Sequence, residues 1–441
     1  MSDILNNKVF GFFEFSWKRE SSSIIFSTVT AMPALVNKIK KHTLEVYRNK
    51  IKTKGFVDGE TPEKYFEENC ALGIGESCSK FVYKFFIRDF LEEKISEQKI
   101  VCLTAPKLVD IKIHESGAID YKFKLSTISN IAPDHWEKIN FNSPRRKLYK
   151  DLDRQADFFL KAAEDEKVKP GTSEKCVQDG DWVYFSVLLL NNNNQPAIRN
   201  YKNSYWIKID VKYVVTEFHK IFLGRKNKEC FLLDNLPEVG WGSDLLSLKG
   251  KFRLTINDVV KSQDFSIDRF KKTFYLDKNA EVHEKLIEIF SFRNDISQRR
   301  LIIEEAFRVL FNKIKFEIPK YLILRNQERL LTSIRKLPDY PIYKMSENFS
   351  KQVLLLSEKQ VKEEALMRQI GYNEGVEVEH EDVLNYLNLF NHPRLMEFIY
   401  FWPNIEYSQD ICLPLKESAM KLAVLKEKVL NFVIKRLSCR A

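Results

Sequence analysis

Hydrophobic and polar positions alternate with period two at the start of the chain. Phe13, Phe15 and Trp17 are spaced this way, and after the turn-like ESSS so are Phe26, Thr28 and Thr30, which predicts two strands within residues 10–30. The period then lengthens. Leu35, Ile39, Val46 and Tyr47 share one face of a helix over residues 32–51, opened by Pro33 where the missing N–H costs nothing, with Lys38, Lys40, Lys41, Arg48 and Lys50 on its wet side. The segment KTKGFVDGETP (52–62) follows as a loop, and a second helix over 79–95 buries Val82, Phe85, Phe86 and Phe90. Between them Gly73-Ile74-Gly75-Glu76-Ser77 has neither phosphate-binding fingerprint and reads as a loop. Leu108, Ile111 and Ile113, then Ile119, Tyr121, Phe123 and Leu125 across the turn HESG, predict two closing strands. An α+β domain ending near residue 150 results.

Residues 149–168 are helical and charged, and PGTSEK breaks the pattern at Pro170 and Gly171. From Gly180 to Val260 short apolar runs dominate: DWVYFSVLLL, then the polar loop NNNNQP, then KGKFRLTINDV as a late strand. From about residue 270 the chain is helical to its end. Ile302, Ala306, Val309 and Leu310 form one stripe, and Pro319 opens another helix in FEIPKYLILRNQERLL. SKQVLLLSEKQVKEEALMRQIGY, HEDVLNYLNLF and PLKESAMKLAVLKEKVLNFVIKRL complete the series without an internal repeat.

Composition narrows the picture in three ways. The chain has 441 residues, 30% charged and 44% hydrophobic, with 14 Gly and 14 Pro, so it is globular, of two to four domains, without long flexible linkers. The net charge of +10 suits an anionic partner such as RNA or a membrane surface, or is simply the balance of a basic proteome. The seven cysteines are scattered with no metal-ligand spacing, which predicts reduced thiols and a cytoplasmic protein. No apolar run is long enough to span a membrane, and the N-terminal MSDILNNKVFGFFEF lacks the core of a signal peptide. His380-Glu381-Asp382 reads as a solvated helix start rather than a metal site, and the dispersed histidines suggest no catalytic triad.

The order of these segments, and several short motifs within them, resemble the trigger factor family of ribosome-associated chaperones. That family carries a ribosome-docking loop of the form G-F-R-x-G-K-x-P after a basic helix; here Gly55-Phe56-Val57-Asp58-Gly59-Glu60-Thr61-Pro62 keeps both glycines, the Phe and the Pro. It departs at Val57, which stands for the Arg, and at Glu60, which stands for the Lys. Each charged contact of this kind is worth roughly 1–3 kcal/mol, so docking is expected to be weak, with Lys50, Lys52 and Lys54 as partial replacements.

The middle segment resembles the FKBP-type prolyl isomerase domain of the family: Gly180-Asp181-Trp182-Val183 matches its opening, and Leu248-Lys249-Gly250-Lys251 its close. Of the pocket, only Val215 and Phe218 match as isomerase-pocket candidates. His219 stands in the slot of the family's Glu and is expected at the surface, Val187 stands where a pocket aromatic is expected, and NNNNQPAI replaces D-G-x-x-F. Lowering the roughly 18–20 kcal/mol barrier of an X-Pro bond needs a dry aromatic pocket, so the expected catalysis is weak or absent. Phe316-Glu317-Ile318-Pro319 and the run KQVKEEALMRQIGYNEGVEVEHEDVLNYL resemble the family's arms.

The resemblance implies an α+β multidomain chain: a ribosome-binding-type α+β domain over 1–148, a linker helix and degenerate FKBP-like domain over 149–262, and an all-α arm and cradle domain over 263–441. It implies a nucleotide-independent chaperone that uses no cofactor or metal, whose partners are nascent and unfolded polypeptides and the ribosome rather than a membrane. The rivals are an isomerase with an atypical pocket, a holdase that works apart from the ribosome, and an RNA-binding protein.

Overall fold

A computed structural model describes residues 9–21, 23–50, 53–57, 60–98, 100–104, 106–127, 136, 139–145, 151–167, 176–190, 194–196, 203–209, 217–234, 236, 251–262, 265–403, 407–408 and 411–438. Contacts gather the chain into two units: residues 1–130 with 316–361, and residues 131–315 with 362–441. This grouping cuts the chain differently from a division along the sequence at 148 and 262, because residues 316–361 fall with the N-terminal sheet. Both units mix helices with antiparallel sheets, as an α+β chain does.

The first unit is built on an antiparallel sheet of β1 (Phe13–Ser21), β2 (Ile24–Ala31), β3 (Lys107–Ile113) and β4 (Ile119–Ser126), in the order β1-β2-β4-β3. Its register sets Phe13 opposite Ala31, Phe15 opposite Val29 and Val29 opposite Tyr121, so these residues share the core face. Three predicted stripes supply that face, except that Trp17 and Ile113 at their ends are exposed. In β2 the phase differs: Ile25, Ser27, Val29 and Ala31 are buried, while Phe26, Thr28 and Thr30 lie on the other side. The small Ser27 and Ala31 misled the period. α1 (Pro33–Lys50) begins at Pro33 as predicted and brings Leu35, Val36 and Ile39 onto the sheet; the side chains of Val46 and Tyr47 lie outside the described residues.

One near-continuous helical run follows: α2 (Glu63–Asn69), α3 (Ala71–Val82), a π-helical turn at Tyr83–Ile87 and α4 (Arg88–Glu97). Gly73-Ile74-Gly75-Glu76-Ser77 is therefore helix, not loop. Ile74, Cys78 and Val82 recur every fourth residue and are all buried, and this stripe outweighs the cost of two glycines, about 1 kcal/mol each. Gly75 also faces close packing, since a Cβ there would meet Ile113 Cδ1 at 3.5 Å.

The second unit holds α5 (Leu152–Lys167) and a five-stranded sheet. Its strands are β5 (Trp182–Leu189), β6 (Asn203–Lys208), β7 (Cys230–Leu233) and β8 (Phe252–Val260), with the short α6 (Glu217–Phe222). Five helices complete the unit or lead out of it: α7 (Ile267–Phe274), α8 (Asn279–Phe290), α9 (Gln298–Lys313) after the small hairpin β9 (Phe292–Arg293) and β10 (Ile296–Ser297), and, in chain order beyond them, α10 (Lys320–Ile334) and α11 (Tyr340–Lys344), which belong to the first unit. α12 (Phe349–Asn373) is divided between the units at residue 361. α13 (His380–Leu387), the hairpin β11 (Tyr407–Ser408) and β12 (Ile411–Cys412), β13 (Leu415–Lys416) and α14 (Glu417–Ser438) close the chain.

The sheet order is β13-β6-β5-β8-β7. Both faces are covered. Val183, Phe185 and Val187 pack with Phe218 and Phe222 on one side, while Trp182 and Trp206 join the core of α5, α7, α8 and α13 on the other. A strand buried on both faces reads as an unbroken apolar run, which is why DWVYFSVLLL shows no alternation. The two-residue β13 extends the sheet at β6, with Leu415 opposite Trp206. Among the described residues no helix is long and apolar enough to cross a membrane.

Candidate functional site

The loop between α1 and α2 stands on a small core of its own, Leu44, Phe66 and Ile74. Gly55 has φ +96° and open space around it, the conformation that favours glycine. The Phe56 amide donates to Thr53 O at 3.2 Å and the Glu60 amide to Val57 O at 3.0 Å. Thr61 is buried and Pro62 precedes α2 in extended conformation, so the loop is pinned where it enters the helix. Between these anchors Phe56 and Val57 project, 41% and 67% exposed, the Phe56 ring resting on Tyr65 at 5.2 Å between centroids. Lys54 and Glu60 are both exposed beside them, and Glu63, Glu67 and Glu68 outnumber Lys64 on α2. The described part of this loop is thus an apolar ridge beside a net acidic surface. Lys52, Asp58, Gly59 and the side chain of Lys50 lie outside the described residues.

In the same unit α10, α11 and α12 form a hairpin. Ser357 Oγ donates to Ile323 O at 2.6 Å and Asn326 Nδ2 to Gln360 Oε1 at 3.1 Å, joining its two long helices, while Leu322 and Val353 are buried. The Lys124 ammonium sits 5.4 Å from the Tyr321 ring and ties the hairpin to β4. Its outer surface is apolar to an unusual degree. Leu324, Leu337, Ile342, Met345, Leu355 and Leu356 are all exposed, Met345 at 86%. Scattered exposed apolar residues are ordinary, but here six fall within one hairpin. Sequence periodicity missed it, because a helix with apolar residues on both faces gives no clean stripe.

The isomerase-like region gives a different result. Phe218 is buried in the core between α6 and the sheet, and His219 beside it is 5% exposed rather than at the surface. Phe185 and Phe222 pack at 4.7 Å between ring centroids, so aromatic rings fill the core beside α6. Phe218 and Phe222 anchor α6 in the sheet core, and this burial is what the sequence pattern at His219 concealed. Val215 lies outside the described residues, and Val187 is buried.

Gly180-Asp181 forms a latch at the start of β5. The Asp181 carboxylate, 1% exposed, accepts from the amides of Gln178 at 2.7 Å and Ser262 at 3.0 Å and from Lys261 Nζ at 2.9 Å. Lys261 Nζ also donates to Cys176 O. Gly180 has φ +85°, and a Cβ there would lie 3.0 Å from Ser262 Oγ.

His380 opens α13, where Glu379 and Asp382 form a capping box. Its ring stacks on Trp206 at 5.9 Å and its Nε2 lies 3.1 Å from Asp258 Oδ2, so it joins a helix to the sheet.

With this geometry described, likeness to known proteins can be stated. The family profile described as Bacterial trigger factor protein (TF) matches residues 13–156. A protein named Trigger factor from Geobacter sulfurreducens is 20% identical over 357 residues, which cover 77% of this chain and 79% of that protein. A solved structure described as "Promiscuous Substrate Recognition in Folding and Assembly Activities of the Trigger Factor Chaperone" aligns with 14% identity and a TM-score of 0.39, over 96% of this chain and 100% of that one.

Proposed function

We propose how this chain, which belongs to the trigger factor family of chaperones, does its work: it holds nascent or unfolded polypeptides on the apolar hairpin of α10–α12, in the cytoplasm and without nucleotide. The observation that carries this reading is the run of exposed Leu324, Leu337, Ile342, Met345, Leu355 and Leu356. Apolar contacts spread over a surface hold many sequences loosely, and the unbranched Met345 adapts to each. Among the described residues no disulfide joins Cys70, Cys78, Cys102, Cys176 or Cys230, in keeping with a reducing compartment.

The same reading makes residues 53–62 a weak ribosome-docking loop that works through Phe56 and Val57 more than through charge. It assigns the isomerase-like module a structural role, supported by the aromatic filling around Phe218.

The deciding experiment measures aggregation of a chemically unfolded client. Ile342→Ser, Met345→Ser and Leu355→Ser together should abolish protection while the unfolding transition stays within about 1 kcal/mol, since all three side chains are exposed. Undiminished protection by the triple variant would remove the hairpin from the reading. In parallel, proline-limited refolding of a model substrate should show no acceleration by the wild type.

A further inference from the structure

Two cavities in the second unit, of about 520 and 700 Å³, share Asn431 in their walls. Behind that residue lies a buried charged cluster. Arg299, 1% exposed, donates through Nη2 to Asn431 Oδ1 and lies 3.7 Å from Glu427 Oε1. Glu427 Oε2 in turn accepts the amides of Tyr400 and Phe401, each at 3.0 Å. Lys285 pairs with Glu288 at 2.6 Å. Within this group the charges cancel, yet the hydrogen bonding is incomplete. Arg299 Nε and Asn431 Nδ2, two donors on side chains that touch each other, have no hydrogen-bond partner among the described residues. Glu288 Oε2 and Glu427 Oε1 have no such partner either. A buried donor left unpaired costs roughly 1–3 kcal/mol, and native proteins carry few without a reason.

Both donor-bearing side chains line the larger cavity, whose opposite character comes from Phe274, Leu276, Ile302 and Ile434. Its volume lies in the range of small-molecule and peptide-end sites. Paired N–H donors beside an apolar wall match a carboxylate whose neighbouring side chain is apolar. Glu281 and Glu284, also in the lining, supply acceptors for N–H groups next to that carboxylate.

We propose that the larger cavity binds the carboxy-terminal end of a polypeptide: the α-carboxylate meets Arg299 Nε and Asn431 Nδ2, and a terminal apolar side chain lies against Phe274, Leu276, Ile302 and Ile434. This rests on the chaperone reading and deepens it for released, unfolded clients, whose carboxylate is free, by naming the part that a second site takes. The two fail separately, because the hairpin substitutions above leave this cavity untouched.

The test is fluorescence anisotropy of a dye-labelled tetrapeptide ending in leucine, titrated with the full-length protein. The free acid should bind, and the same peptide with a C-terminal amide should bind at least about tenfold more weakly, the loss expected for a hydrogen bond to a charged group. Asn431→Asp keeps the oxygen that accepts from Arg299 and removes the Nδ2 donor, so it should weaken the acid by a similar factor and leave the amide unchanged. If Asn431→Asp does not fold, the comparison of acid with amide on the wild type decides alone. Displacement of the peptide by free leucine at a similar concentration assigns the same carboxylate site to free amino acids. Equal affinity for acid and amide, or no saturable binding of either, overturns the proposal and leaves the cavity to water.

Discussion

The segments 55–62 and 180–183 both match the family sequence pattern, and the chain uses them in opposite ways. Gly55-Phe56-Val57 projects from the surface, with nothing within 4 Å of a Cβ placed on Gly55. Asp181-Trp182-Val183 is buried, the preceding Gly180 lies against Ser262, and the carboxylate accepts from Gln178 before β5 and from Lys261 and Ser262 after β8. A retained glycine therefore carries two meanings. In the loop it shapes what a partner meets; in the latch it lets β5 start beside the end of β8. The segment 55–62 departs from the pattern it resembles where it faces solvent, at Val57 and Glu60, whereas the latch, held by internal geometry, keeps its pattern.

The largest effect that tests this contrast belongs to Asp181. Asp181→Ala strips the partly buried Lys261 and two backbone amides of their acceptor, and breaking a largely buried ion pair in this way costs about 3 kcal/mol. Urea unfolding should show the loss. A change under 1 kcal/mol would mean that the latch does not hold the sheet. Gly180→Ala comes next: a left-handed φ of +85° costs roughly 1–2 kcal/mol for a residue with a Cβ, to which the 3.0 Å approach to Ser262 adds. Gly55→Ala has the left-handed φ without the close neighbour, so its cost should stay at about 1 kcal/mol and below that of Gly180→Ala. Reversal of that order would erase the distinction between the two glycines.

Most of the fold was legible in the sequence, and what was not has identifiable causes. Strand stripes at Ile119, Tyr121, Phe123 and Leu125 are clear because one face of β4 is buried and side chains alternate across it. Ile25 and Val29 were hidden by the neighbouring Ser27 and Ala31, which are small because packing there is close. Gly73 and Gly75 suggested a loop, yet burial of Ile74, Cys78 and Val82 kept the helix. β13 is two residues long, too short to leave a pattern, although it extends the sheet. Of the candidate sites, the turn at Gly55 and the presence of Phe56 were readable. The exposure of Phe56, the burial of His219 and the apolar hairpin depend on which neighbours arrive from elsewhere in the chain, and local spacing does not encode that.

The smallest expected effect on stability is the one with most to say about function. Val57 and Glu60 are exposed, so Val57→Arg with Glu60→Lys should change the unfolding free energy by no more than about 0.5 kcal/mol. The same double change turns one apolar and one acidic position into two cations. If the loop docks on the ribosome as proposed, co-sedimentation with empty ribosomes should tighten by about tenfold per restored contact at low salt, and the gain should fade as salt rises. Phe56→Ala should weaken pelleting of the wild type with little dependence on salt, because its contribution is apolar. A double variant that pellets no better than the wild type, while Phe56→Ala changes nothing, would mean that the exposed ridge at 56–57 serves no ribosomal contact, and the latch and the loop would then differ in burial alone.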